Sequence, residues 1–96
     1  MAKAYWVVFY HSVANPAALA EYGKLAQPAI QNAGGRFLAR GMPARTLEGV
    51  NERSVVIEFE SVAAAVAAYD SPAYQAALKV LGKAVERDMR ILEGIS

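Results

Sequence analysis

The chain opens on an apolar run without charge, Ala4-Tyr5-Trp6-Val7-Val8-Phe9-Tyr10. Aromatic and β-branched residues in continuous sequence suit a strand buried on both faces, as a central strand is. His11 and Ser12 close it. The period then changes. Asn15-Pro16 reads as an N-cap followed by proline at the first helical position. Leu19, Tyr22, Ala26, Ile30 and Ala33 follow at steps of three and four, which is one face of a helix, while Glu21, Lys24, Gln27 and Gln31 lie off that line. Pro28 falls inside the pattern, where it crowds the carbonyl of Lys24, so a kink is expected rather than an end. Gly34 is the expected left-handed stop.

A second strand starts at once, Arg36 to Gly41. Met42-Pro43 interrupts it, and Ala44 to Glu48 resumes strand-like alternation, giving one long strand bent at Gly41–Pro43. Gly49-Val50-Asn51-Glu52 reads as a hairpin turn. From Arg53 to Glu60, Val55, Ile57 and Phe59 alternate with Ser54, Val56, Glu58 and Glu60, and the first set should face the helices. Ser61 caps the next helix, whose apolar face is Val62, Ala65, Val66 and Tyr69. Asp70-Ser71-Pro72 breaks and recaps it, and Tyr74, Ala77, Leu78, Leu81 and Val85 continue the line. Met89 to Glu93 is the last strand, ended by Gly94.

The order β-α-β-β-α-β predicts an α+β fold, a ferredoxin-like sandwich with both helices on one face of a four-stranded antiparallel sheet. Residues 1–96 read as one domain, with no linker or low-complexity segment. One sheet face is then uncovered. The first strand presents either Tyr5, Val7 and Phe9 or Trp6, Val8 and Tyr10 to it, and both sets are largely apolar. With 55% apolar residues in so short a chain, the surplus predicts a homodimer that pairs these faces.

Composition narrows the chemistry. Ten basic and nine acidic residues are dispersed, so neither nucleic acid nor an anionic membrane is an expected partner. The run Ala4–Tyr10 is too short to span a bilayer, and no cleavage pattern follows it. Without cysteine there is no disulfide, thiolate nucleophile or Cys-ligated metal, and a cytoplasmic location is the expectation. One histidine and no metal-ligand spacing predict no metal, and the absence of dinucleotide, phosphate-loop and nucleophile-elbow motifs predicts no cofactor.

What remains is a set of candidates, each with a plain structural reading beside it. His11 and Tyr74 are the catalytic candidates: His11 as a general base at the barrel mouth or as a hydrogen-bonded strand-end histidine, Tyr74 as a donor or as packing. Arg36 and Arg40, four apart on a strand, nominally share a face and can hold an anion or balance Glu58. Arg40 and Glu58 are the polar ligand candidates, with Trp6, Tyr10, Tyr69 and Tyr74 as aromatic walls or core. The expected function is binding of a small organic molecule in a pocket of the barrel. The alternatives are a cofactor-independent monooxygenase or isomerase, and a structural dimer without ligand. Whether the chain turns over a substrate stays open.

Several pieces taken together resemble a known family. They are Ala4-Tyr5-Trp6, Tyr22, Gly34-Gly35-Arg36-Phe37-Leu38-Ala39-Arg40-Gly41, Glu48-Gly49, Val56-Ile57-Glu58-Phe59, Tyr69-Asp70-Ser71-Pro72-Ala73-Tyr74 and Glu93-Gly94. The chain is similar over nearly its whole length to a family of small domains of unknown function, number thirteen-thirty, in the dimeric α/β-barrel superfamily. It departs from the family at Met42, often glycine, at Ala68, often tryptophan, and around Asn15, often acidic. The resemblance implies the same ferredoxin-like fold and a dimer. Its superfamily relatives include cofactor-independent monooxygenases, haem-dependent enzymes and ligand binders.

Overall fold

Alternation decides where each residue of the first strand goes. In the computed structural model, which describes residues 2–95, strand β1 (Ala4–Val13) buries Ala4, Trp6, Val8 and Tyr10 and leaves Tyr5, Val7 and Phe9 half-buried. The strand is therefore one-sided, not equally buried on both faces as its composition suggests. It also does not stop at His11 and Ser12. It runs on to Val13 through a bulge between Tyr10 and Ser12, paired against the start of strand β4 (Val85–Glu93).

Helix α1 (Pro16–Asn32) begins as its sequence dictates, with the Asn15 side chain accepting from the Ala18 N–H at 3.2 Å and Pro16 in the first turn. It continues through Pro28, because Tyr22, Ala26, Ala29 and Ile30 on both sides of the proline are buried in the core. It ends in a Schellman motif. The Gly35 N–H donates to the Ile30 carbonyl at 2.9 Å and the Gly34 N–H to that of Gln31 at 3.0 Å, with Gly34 at φ 93°.

Strands β2 (Arg36–Gly41) and β3 (Ser54–Phe59) complete a four-stranded antiparallel sheet in the order β2-β3-β1-β4. Val55, Ile57 and Phe59 are buried beneath the helices, as their alternation predicts. The expected strand Ala44–Glu48 and hairpin turn Gly49–Glu52 do not form. Residues 42–53 are an irregular loop with Leu47 and Val50 about three-quarters exposed. Gly41, at φ 139°, and Pro43 end the edge strand here instead of bending it.

Helices α2 (Val62–Asp70) and α3 (Pro72–Leu81) are one helix interrupted by Ser71. Its hydroxyl accepts from the Tyr74 N–H at 3.3 Å and donates to the Ala68 carbonyl at 2.8 Å. The buried face of α2 is Ala65 and Ala68, with Val62, Val66 and Tyr69 partly exposed, contrary to the apolar-size pattern. Small residues let the helix approach Trp6, whose indole N–H donates to the Ala65 carbonyl at 3.1 Å. Trp6 itself is fully buried, its ring centroid 5.0 Å from those of Phe59 and Tyr74. Gly82, at φ 52°, stops α3, so Val85 opens β4 four residues before the expected start at Met89 and does not belong to the helix.

The Schellman turn brings Gly35 against the core. A Cβ there would lie 2.5 Å from Ile30 Cγ2 and 2.9 Å from the Phe59 ring, both packed side chains. Gly35→Ala should destabilise the fold by about 1–3 kcal/mol. For a domain of this size that lowers Tm by roughly 4–8 °C per kcal/mol, measurable by thermal denaturation.

Candidate functional site

Between helix α1 and the inner sheet face lies a cavity of about 330 Å³. Trp6, Val8, Val55, Ile57 and Met89 form its floor. Leu19, Ala26 and Ile30 form its roof. Gly23 also lines it, and a Cβ added there would meet nothing within 4 Å. A glycine in mid-helix costs about 1 kcal/mol against alanine, so the fold gives up helix stability at an exposed position on the cavity lining.

The polar part of the lining is one-signed. Arg40, Arg53 and Arg87 border the cavity together with Gln27 and the hydroxyl-bearing Tyr10 and Tyr22, and among the described residues lining it there is no carboxylate and no histidine. Arg87 projects from β4 into a cluster of tyrosines. Its Nη1 donates to the Tyr10 hydroxyl at 3.1 Å and to that of Tyr22 at 3.2 Å, and its Nη2 to that of Tyr74 at 3.2 Å. Tyr22 and Tyr74 share a further hydrogen bond of 2.6 Å. The guanidinium carbon also lies over two rings, 5.6 Å from the centroid of Tyr10 and 5.1 Å from that of Tyr22. Burial, first, and the nearby Tyr22 push the Tyr74 hydroxyl far above its ordinary pKa, with Arg87 opposing. Burial also raises Tyr10, again against the pull of Arg87. Both stay protonated at neutral pH, so among the described residues the Arg87 charge has hydroxyl partners and no counter-ion.

The sequence candidates divide between the two sheet faces. Trp6, Tyr10 and Arg40 line the cavity. Arg36 and Arg40 do not share a face. A bulge between Phe37 and Ala39 leaves Arg36 opposite Glu58 and turns Arg40 to the side of Val55. Glu58 consequently faces away from the cavity and pairs with Arg36 at 3.3 Å. Tyr69 and Tyr74 stand outside the lining, the first on the flank of Trp6 and the second buried behind Arg87. His11 is on the open face, its Nδ1 2.9 Å from Glu52 and its Nε2 3.0 Å from Asp88. With both nitrogens occupied by carboxylates it cannot serve as a base inside the cavity. Arg87, Arg53, Tyr22 and Gln27 are lining residues that the sequence candidates omit.

A ferredoxin-like α+β sandwich with its cavity under the first helix is the architecture thus defined. The chain belongs to the family described as domain of unknown function (DUF1330), which matches residues 3–95. Among solved structures it is similar to a protein of unknown function from Rhodopseudomonas palustris, with 23% identity over 99% of this chain and 84% of that one and a TM-score of 0.77. It is also similar to a cofactor-independent oxygenase from Streptomyces nogalater, with 12% identity over 100% and 96% of the two chains and a TM-score of 0.66. A dimeric ferredoxin-like protein of unknown function from Thermobifida fusca shows 14% identity over 96% and 91% and a TM-score of 0.55. At these identities what is shared is the fold. No curated protein matches the sequence.

The His11 cluster makes a prediction independent of any ligand. Hydrogen bonds to Glu52, foremost, and Asp88 raise the His11 pKa above its ordinary value. The stabilisation is therefore full below the unfolded value of about 6.5 and lost as pH rises through the folded one. Melting temperature should fall as pH rises above about 6.5, and His11→Gln should remove most of that slope. An unchanged slope in the variant would show that other groups carry it.

Proposed function

We propose that the protein binds a small organic molecule in the cavity beneath helix α1. The observation that carries the reading is the lining: apolar on floor and roof, with a few convergent polar groups at one end, as small-molecule sites commonly are. Gly23 supports it, as a lining position where an added Cβ meets nothing within 4 Å and the helix carries no side chain. Binding is favoured over turnover because the lining, among the described residues, holds no carboxylate or histidine to take a proton. Tyr10 is pushed up by burial, and His11 lies on the opposite face. The fold shared with a cofactor-independent oxygenase does not supply that missing base.

Trp6 is the sole tryptophan and lies fully buried directly beneath the cavity, so its emission reports repacking of the floor on occupancy. Titration with a panel of cyclohexyl alcohols, amides and acids, which do not absorb where indole does, should shift that emission saturably. Gly23→Leu, which fills open space in the wall, should weaken binding about tenfold or more, with little loss of Tm. If no compound shifts the emission at millimolar concentration, the reading is wrong.

The same proposal includes a homodimer formed through the open sheet face. Tyr5, Val7 and Phe9 are half-buried there beside Val56, and Leu92 is half-exposed, with Ser54 and Glu58 toward the strand ends. A face apolar at its centre and charged around it can cover itself across a twofold axis. The structural neighbour described as dimeric supports this. Sedimentation equilibrium at micromolar concentration should give twice the chain mass, and Val7→Asp should give a folded monomer. A wild-type monomer mass rules the dimer out.

A further inference from the structure

Strand register sets the chemistry that the cavity presents to an occupant. Tyr10 is opposite Arg87 on β4, and its N–H donates to the Arg53 carbonyl at 2.9 Å. Arg53, Tyr10 and Arg87 therefore stand in one row across three neighbouring strand lines. One row inward are Arg40, Val55, Val8 and Met89, and the row after that brings Ile57 and Trp6. The cavity floor thus grades from cationic to apolar over about two strand repeats, roughly 7 Å each.

Each cation at the polar end has unused capacity. Three of the five N–H donors of Arg87 go to tyrosine hydroxyls. Its Nε has no partner, yet no buried side-chain nitrogen or oxygen among the described residues lacks one, so that donor is open to solvent. Arg53 has no side-chain hydrogen bond or ion pair among the described residues, and Arg40 has a 3.3 Å bond to the Gln27 amide and the face of Phe37. Glu52 and Asp88, each next to one of these arginines in sequence, are engaged with His11 on the other face. Arg40 and Arg53 are exposed and solvated, whereas the partly buried Arg87 guanidinium, held by hydroxyls alone, gains most from an arriving anion.

We infer that the occupant is a compact hydrophobic monocarboxylic acid, its carboxylate at the Arg53–Tyr10–Arg87 row and its apolar body between Leu19 and Phe37 over the Val55–Met89 row. Guanidinium matches a carboxylate in two-point geometry. A second charge is disfavoured, since it would meet only Trp6, Ile57 and Ile30 at the far end, with no donor to receive it. The size limit is also modest: 330 Å³ corresponds to about eleven waters at roughly 30 Å³ each, room for one ring and its acid group.

The inference rests on the binding proposal, and three matched probes separate the two. Calorimetric titration of the full chain with cyclohexanecarboxylate, cyclohexanecarboxamide and a cyclohexane dicarboxylate should rank the monoacid at least about tenfold above the amide, and the diacid below the monoacid. In Arg53→Gln the monoacid should fall to within about threefold of the amide. That side chain is exposed and unpartnered, so the variant should fold. Arg87→Lys should do the same, with thermal denaturation to verify folding. Acid and amide binding equally would overturn the inference and leave the cavity reading standing. A diacid that binds best would overturn the single-charge assignment. Absence of binding by all three, with Trp6 emission also unmoved, would overturn both.

Discussion

The Arg87 guanidinium is the constraint on which the arrangement depends. Its hydroxyl partners come from β1, α1 and α3, and it sits on β4, so one cation joins four elements. Hydrogen bonds to a charged donor contribute about 1.5–3 kcal/mol each in favourable cases, and the ring faces of Tyr10 and Tyr22 add something of order 0.5–2 kcal/mol. Hydroxyls, however, satisfy hydrogen-bond geometry without cancelling charge. A carboxylate among the tyrosines would have closed the network internally. Its absence from the lining leaves a positive end to an otherwise apolar cavity.

Parity then distributes the remaining charges. Side chains alternate across a sheet, so a one-residue change in register moves a residue from one face to the other. The bulge between Phe37 and Ala39 does this to Arg40, which joins the cavity while Arg36 stays outside with Glu58. The second bulge, between Tyr10 and Ser12, lies where His11 meets Glu52 and Asp88. A chain of net charge +1 thereby segregates its charge, with balanced pairs on the open face and unbalanced arginines within the cavity.

Much of the fold was legible because its signals are local. Asn15-Pro16, Ser61 and Ser71-Pro72 are helix starts whose side chains make the expected caps, and the glycines after Ala33 make the expected stop. The site was less legible because it depends on register. Nothing in Arg36 to Gly41 marks Leu38 as the bulge, since it is neither glycine nor proline. Arg87 could have been found. Gly82 after Leu81 is an ordinary helix stop, and from it Val85, Arg87, Met89 and Ile91 alternate as an inward strand face with one conspicuous cation. Extending the helix line to Val85 and starting the strand at Met89 instead leaves Arg87 between elements. The loop 42–53 shows the opposite error, alternation in a segment that has no strand beside it to pair with.

The cavity opens to solvent on one side, so its 330 Å³ is filled by water or by a ligand. Water at the arginine end finds donors on Arg87 and the hydroxyl of Tyr10. Water over Val8, Ile57 and Ile30 finds none and is held only by its neighbours. Displacing the second kind with an apolar group is favourable by about 25 cal/mol per Å² of surface covered. Displacing the first kind is not, unless the incoming group replaces its hydrogen bonds and brings charge. An apolar body ending in one anionic group meets both conditions at once, and the direction in which it enters is set by the register of three strands.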